Sequence, residues 1–308
     1  MRKVRSFAHW ATCILLAAAA SHAAGDEPSG RRYLNNVFDD HVRTGGIVFA
    51  ERTNDATGQT EKLTLRVFEP KGDKEAKRPL VLLTPGGAFM QHEDHWMDDV
   101  GADLARAGYV VAINRYRLSK DINSPPAFLN ALAKAFSDQE AAIRYFVRDA
   151  AGANRFRIDP ENIFLGGHSA GAITSMYVAY LDADDKVSEF MTKAMQPYGG
   201  LKGEDDPLPF AIRGVINLSG LVSDLAMIEK GEPPLISMHG DRDEAVKIGS
   251  TETGLHGSIP IHERAEKVGL VNELYVIRGA EHNDTADTRL CPECMPLAKR
   301  FMLNTMKR

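Results

Sequence analysis

A serine attacks an ester at neutral pH only when a base takes its proton and a carboxylate orients that base. The run Ile163-Phe164-Leu165 reads as a buried strand and leads into Gly166-Gly167-His168-Ser169-Ala170-Gly171, with helix-compatible residues from Ala170 to Leu181. Gly-x-Ser-x-Gly between a strand and a helix is a nucleophile elbow. Ser169 then sits on a strained turn, and a side chain at Gly167 or Gly171 would crowd it. The helix that begins after Ser169 aims free N–H groups at the same point, where a developing oxyanion can use them. His168 occupies the variable position of the motif.

The base is sought downstream, after an acid. His282 stands in Ile277-Arg278-Gly279-Ala280-Glu281-His282-Asn283, a loop directly behind an apolar run, whereas His256 and His262 lie near a glycine-rich loop and a helix start. The acid comes from His239-Gly240-Asp241-Arg242-Asp243-Glu244, which follows the buried run at Leu235. Spacing alone does not separate Asp241 from Asp243. Gly86-Gly87 follows another buried run, Leu80 to Leu83. Phe89 and Trp96 lie beside it and Leu221 follows the run at Gly214 to Leu218, so these three are read as substrate-binding positions, with core packing an equal reading for Trp96.

The elements that must position these residues alternate. Lys62 to Phe68 alternates polar and apolar, as an antiparallel edge strand does. Leu80–Leu83, Tyr109–Ile113 and Ile163–Leu165 are apolar throughout, as strands covered on both faces are. Helical stretches are expected over Met97–Ala107, Ala127–Ala151 and Pro296–Met306, and further strands over Gly214–Leu218, Leu235–Met238 and Leu274–Ile277. This rhythm predicts an α/β fold, a mostly parallel central sheet with helices on both faces and the functional residues on loops at the carboxyl ends of the strands. Residues 24–60 read as an N-terminal extension with one short strand near Gly46–Ala50, and 61–308 as the folded domain. The acidic stretch 182–210 breaks the rhythm and is a candidate cap over the pocket.

Residues 1–23 carry a basic head (Arg2, Lys3, Arg5), an apolar run from Ala11 to Ala20 and a small-x-small Ser21-His22-Ala23, the pattern of a secretory signal peptide. The expected location is therefore periplasmic or secreted. No run is long enough for a membrane span. Loss of three cations with the leader takes the formal charge from −5 to −8, which argues against nucleic acid or an anionic membrane as partner. Cys291 and Cys294, the cysteines left after cleavage, fit a local disulfide in an oxidising compartment, since no second ligand pair stands near them for a metal.

These motifs resemble the secreted carboxylesterase branch of the α/β-hydrolase superfamily, which includes hormone-sensitive-lipase-like and feruloyl or acetyl esterases. That branch carries His-Gly-x-x-Asp-x-x-Val after a strand with the fifth residue as triad acid, here Asp243, and a Gly-x-x-His loop, here Gly279 to His282. Its oxyanion motif, His-Gly-Gly-Gly-Phe, falls on Pro85-Gly86-Gly87-Ala88-Phe89, with proline for the histidine and alanine for the third glycine. Backbone amides do the work at that motif, so Gly87, Ala88 and Ala170 are the expected donors. The likeness runs from about Leu63 to Phe301. It implies an α/β-hydrolase fold and a serine carboxyl-ester hydrolase that needs no metal or organic cofactor. Its substrates would be short acyl or aryl esters, small or linked to polysaccharide, such as acetyl or feruloyl groups. Two rival readings are a prolyl-oligopeptidase-like serine peptidase, whose usual propeller domain has no room here, and a hydrolase-fold binding protein that has lost catalysis.

Overall fold

A computed structural model describes residues 31–202 and 208–307; the leader expected over 1–23 lies outside the described residues. In chain order the main elements are β1 (His41–Asn54), β2 (Gln59–Pro70), β3 (Arg78–Thr84), α1 (Met97–Ala107), β4 (Val110–Asn114), α2 (Pro125–Ala151), β5 (Ile158–His168), α3 (Ala170–Tyr180), α4 (Glu189–Met195), β6 (Ile212–Leu218), β7 (Leu235–Gly240), α5 (Ser258–Val268), β8 (Asn272–Ile277) and α6 (Cys294–Thr305). The strands form one eight-stranded sheet in the order β1-β2-β4-β3-β5-β6-β7-β8. β1 pairs antiparallel with β2, and β2 with β4; every other pairing is parallel. This is the α/β-hydrolase arrangement.

Because side chains alternate across a strand, the all-apolar strands feed two cores at once. Val81 and Leu83 of β3 pack with Phe164, Ile216 and Met238 against Val100 and Leu104 of α1 and Phe301 and Met302 of α6. Leu80 and Leu82 turn the other way, with Val110, Ile163 and Leu165, onto Ile143 and Phe146 of α2. Ile173 and Met176 of α3 and Ile261 of α5 extend the layer on that side. Helices therefore cover both faces, and the buried sheet gives its loops a rigid floor.

Three expectations change. The strand at Lys62–Phe68 is interior, since β1 lies outside it, and the stretch 24–60 thus contributes a full edge strand to the sheet. Register shifts at Thr44/Ile47 and Val48/Ala50 explain why β1 shows no clean alternation in sequence. Each bulge flips the following side chains to the opposite face. Helix α2 starts at Pro125 rather than Ala127, because Ser124 caps it and the prolines occupy first-turn positions whose N–H groups would be unused. The segment from 182 carries α4, which buries Met191 and Met195 in the core beside α2. Among the described residues, no helix is long and apolar enough to cross a membrane.

Candidate active site

Ser169 closes β5 and opens α3 with φ 53° and ψ −121°, a conformation that non-glycine residues adopt only when the surroundings enforce it. Those surroundings are visible. Its N–H donates to Leu218 O at 2.9 Å across the neighbouring strand. A Cβ added at Gly167 or Gly171 would overlap Thr84 O of β3, so glycine at both places lets helix, strand and elbow meet.

The candidate acid and base, Asp243 and His282, lie just beyond the ends of β7 and β8. His282 Nδ1 lies 2.7 Å from Asp243 Oδ2. Asp243 Oδ1 accepts from the main-chain N–H groups of Ala245 at 3.0 Å and Val246 at 2.8 Å. Burial works against the charge of Asp243, but hydrogen bonds from His239, His282 and Val246 outweigh it and hold this carboxyl well below the usual carboxylate range. Asp241 is turned away. Its Oδ1 accepts from Gly279 N–H at 2.7 Å and pins the loop that leads to His282.

Ser169 and His282 line one cavity of about 350 Å³, together with Gly87, Ala88 and Ala170. No hydrogen bond from Ser169 Oγ to the His282 ring occurs among the described residues; such contacts are often loose without substrate. The loop holding Gly87 and Ala88 is bent by three consecutive positive φ angles, 107° at Gly87, 52° at Ala88 and 59° at Phe89. Its carbonyls are occupied. The Tyr116 hydroxyl lies 3.2 Å from Pro85 O and 3.3 Å from Gly86 O, Glu93 N–H donates to Gly86 O, and Met90 and Gln91 N–H groups donate to Gly87 O. Tyr116 thus supports the loop where proline replaces the histidine of the related motif. The N–H groups of Gly87, Ala88 and Ala170 donate none of the described hydrogen bonds, as an oxyanion site needs.

Of the residues expected to meet substrate, Phe89 and Leu221 line the cavity and Trp96 does not. Trp96 is 7% exposed and packs edge-on against His168, ring centroids 5.6 Å apart, in the layer shared with α1. Its bulk is used in the core. No described residue of 182–210 lines the cavity, so no described part of that segment caps it. The remaining walls are Ile122, Phe128, Ile173 and Val246 on an apolar side, with Gln91, Glu93 and Asn283 as polar members. Cys291 and Cys294 are joined by a disulfide, with Cα atoms 5.4 Å apart, behind the His282 loop.

Two histidines that sequence reading left without a role stand behind the site. His239 Nε2 faces Val246 O at 2.9 Å and Asp243 Oδ2 at 3.1 Å, both acceptors, so its proton sits on Nε2. Its Nδ1 accepts from the Ser258 hydroxyl at 2.8 Å, and Ser258 Oγ in turn accepts from Asn217 Nδ2 at 3.2 Å. The other is His168, whose Nε2 lies 2.8 Å from His282 O. A histidine four positions before a carboxylate at a strand end was the available signal for His239; nothing local signals His168.

Comparison with known proteins adds the following. Residues 65–222 match the BD-FAE family. Among solved structures, an esterase from the Planctomycetes species Thermogutta terrifontis is similar in its propionate-bound form, at 20% identity and TM-score 0.63 over 85% of this chain and 93% of that one. Thermogutta terrifontis esterase 2 phosphorylated by paraoxon superposes with TM-score 0.64 at 21% identity, over 85% of this chain and 94% of that one. Likeness at this identity bears on the fold.

Proposed function

The chain belongs to the BD-FAE family and is a serine ester hydrolase of α/β-hydrolase fold, and we propose that Ser169, His282 and Asp243 carry its chemistry through an acyl-enzyme. One observation carries the reading: His282, fixed at 2.7 Å by an ionised Asp243, shares a cavity with a serine on a strained elbow. With Nδ1–H donated to the carboxylate, His282 Nε2 is the free basic atom. It takes the Ser169 proton as Oγ attacks the ester carbonyl, and the oxyanion collects on the amides of Gly87, Ala88 and Ala170. The imidazolium then protonates the leaving alkoxide. A water activated by the same Nε2 attacks the acyl-enzyme, releases the acid and returns the proton to Ser169.

The cavity supports the substrate class. About 350 Å³ with an apolar side of Ile122, Phe128, Ile173 and Leu221 suits a short acyl or aryl group. Gln91, Glu93 and Asn283 offer hydrogen-bond partners to a hydroxylated alcohol such as a sugar of a polysaccharide. On nitrophenyl esters of increasing acyl length, kcat/KM is expected to peak at about two to four carbons, about tenfold above the octanoate. Acetylated xylan and methyl ferulate, run beside them, test the polysaccharide-linked reading. A maximum at long chains, or no release of acetate or ferulate, overturns that substrate class. The propionate-bound Thermogutta structure is in keeping with a short acyl group.

We place the mature protein outside the cytoplasm, on the leader pattern of residues 1–23 and the disulfide at Cys291–Cys294. N-terminal sequencing of the protein expressed in a bacterial host is expected to begin at Ala24, in the periplasmic or medium fraction. A cytoplasmic product retaining Met1 contradicts export.

A further inference from the structure

We propose that His168 is a positioning residue for acyl transfer: through one hydrogen bond to the main chain of His282 it holds the base in register with the nucleophile. The inference rests on the triad reading above and adds a fourth side chain to it.

His168 is the last residue of β5 and precedes Ser169 directly, so its ring is anchored to the backbone that carries the nucleophile. Its Nε2 lies 2.8 Å from His282 O, and a carbonyl can only accept, so the proton resides on Nε2. Nδ1 is then an acceptor, and it is buried with no hydrogen-bond partner among the described residues. Leaving a buried acceptor unsatisfied is destabilising. An apolar side chain would fill the space without that cost, so the donor on the opposite edge of the ring is what the site retains. The ring itself is held. Trp96 packs edge-on against one side at 5.6 Å, and the His282 ring lies 4.7 Å away. Gly86 leaves room for it: a Cβ there would approach Nδ1 to 3.0 Å. His168 thereby touches all three parts of the apparatus, namely the elbow, the oxyanion loop and the base. Its charge state suits the position. Burial first, and the nearby His282 second, push its pKa down to about 4, so it presents no cation to the imidazolium that forms on His282.

The test compares His168→Leu, which lacks the donor, with His168→Gln, whose amide N–H₂ can reach the same carbonyl. With nitrophenyl acetate, His168→Leu is expected to lower kcat about ten- to a hundredfold, the cost of a small misplacement of reacting groups, with KM within twofold. His168→Gln is expected to recover kcat to within about threefold of wild type by restoring the hydrogen bond. The rate of fluorophosphonate labelling falls and recovers in parallel. Melting temperatures show that the variants compared are folded, and His168→Met replaces the leucine variant if that one is insoluble. A donorless variant with wild-type kcat, a change confined to KM, or a folded glutamine variant as slow as leucine overturns the proposal. Failure of the triad reading looks different: wild-type protein itself then resists labelling.

Discussion

Ser169→Ala is expected to reduce kcat on nitrophenyl esters by about 10⁶, comparable to the loss of a serine nucleophile elsewhere, and to abolish fluorophosphonate labelling. The substitution removes one oxygen and leaves the elbow intact. What holds Ser169 at φ 53° is its N–H bond to Leu218 O and the close seating of Gly167 and Gly171 on Thr84, and neither depends on Oγ. The melting temperature should therefore stay near that of wild type. Residual turnover would come from the amides of Gly87, Ala88 and Ala170 and from binding, which alone can sustain 10³–10⁴ over water. Labelling that survives in the alanine variant moves the nucleophile elsewhere. Absence of labelling in the intact protein favours the reading of a hydrolase fold kept for binding.

The elbow was legible because its chemistry is local: glycine, strand and helix occupy consecutive residues, and the same few positions must satisfy sterics and reactivity together. The parallel core was legible for a similar reason, since strands such as Leu80–Leu83 are apolar on both faces. Features that depend on distant chain segments were not. β1 hides because two bulges break its alternation and because half of its side chains face solvent at the sheet edge. Trp96 misleads because an aromatic residue beside a glycine-rich loop suits a pocket wall and a core equally, and only the position of His168 decides between them. His168 meets a carbonyl brought to it by folding, so no sequence spacing announces its partner, whereas the four-residue spacing from His239 to Asp243 does. Spacing could not choose between Asp241 and Asp243 either. The family resemblance chose, and the hydrogen bonds give that choice a measurable meaning.

Asp243→Asn is expected to lower kcat by about 10⁴ while Asp241→Asn stays within about twofold of wild type. Asp243 receives four hydrogen bonds: from Ala245 and Val246 N–H groups on Oδ1, and from His239 Nε2 and His282 Nδ1 on Oδ2. A carboxylate only accepts, so it satisfies all four. An amide cannot. If its NH₂ group faces the main-chain amides, two donors meet two donors; if it faces the rings, His282 must shift its proton to Nε2 and then has no lone pair for Ser169. Asp241 makes one such contact, with Gly279 N–H, and asparagine keeps an oxygen to accept it. The same contacts set a pH dependence of stability. Because folding lowers the Asp243 pKa below its unfolded value, its contribution is present above the ordinary carboxylate range and fades as pH falls through the folded value. Melting temperatures of wild type and Asp243→Asn should therefore differ at neutral pH and converge on acidification. A variant at 241 slower than one at 243, or a stability gap that widens in acid, would remove Asp243 from the site.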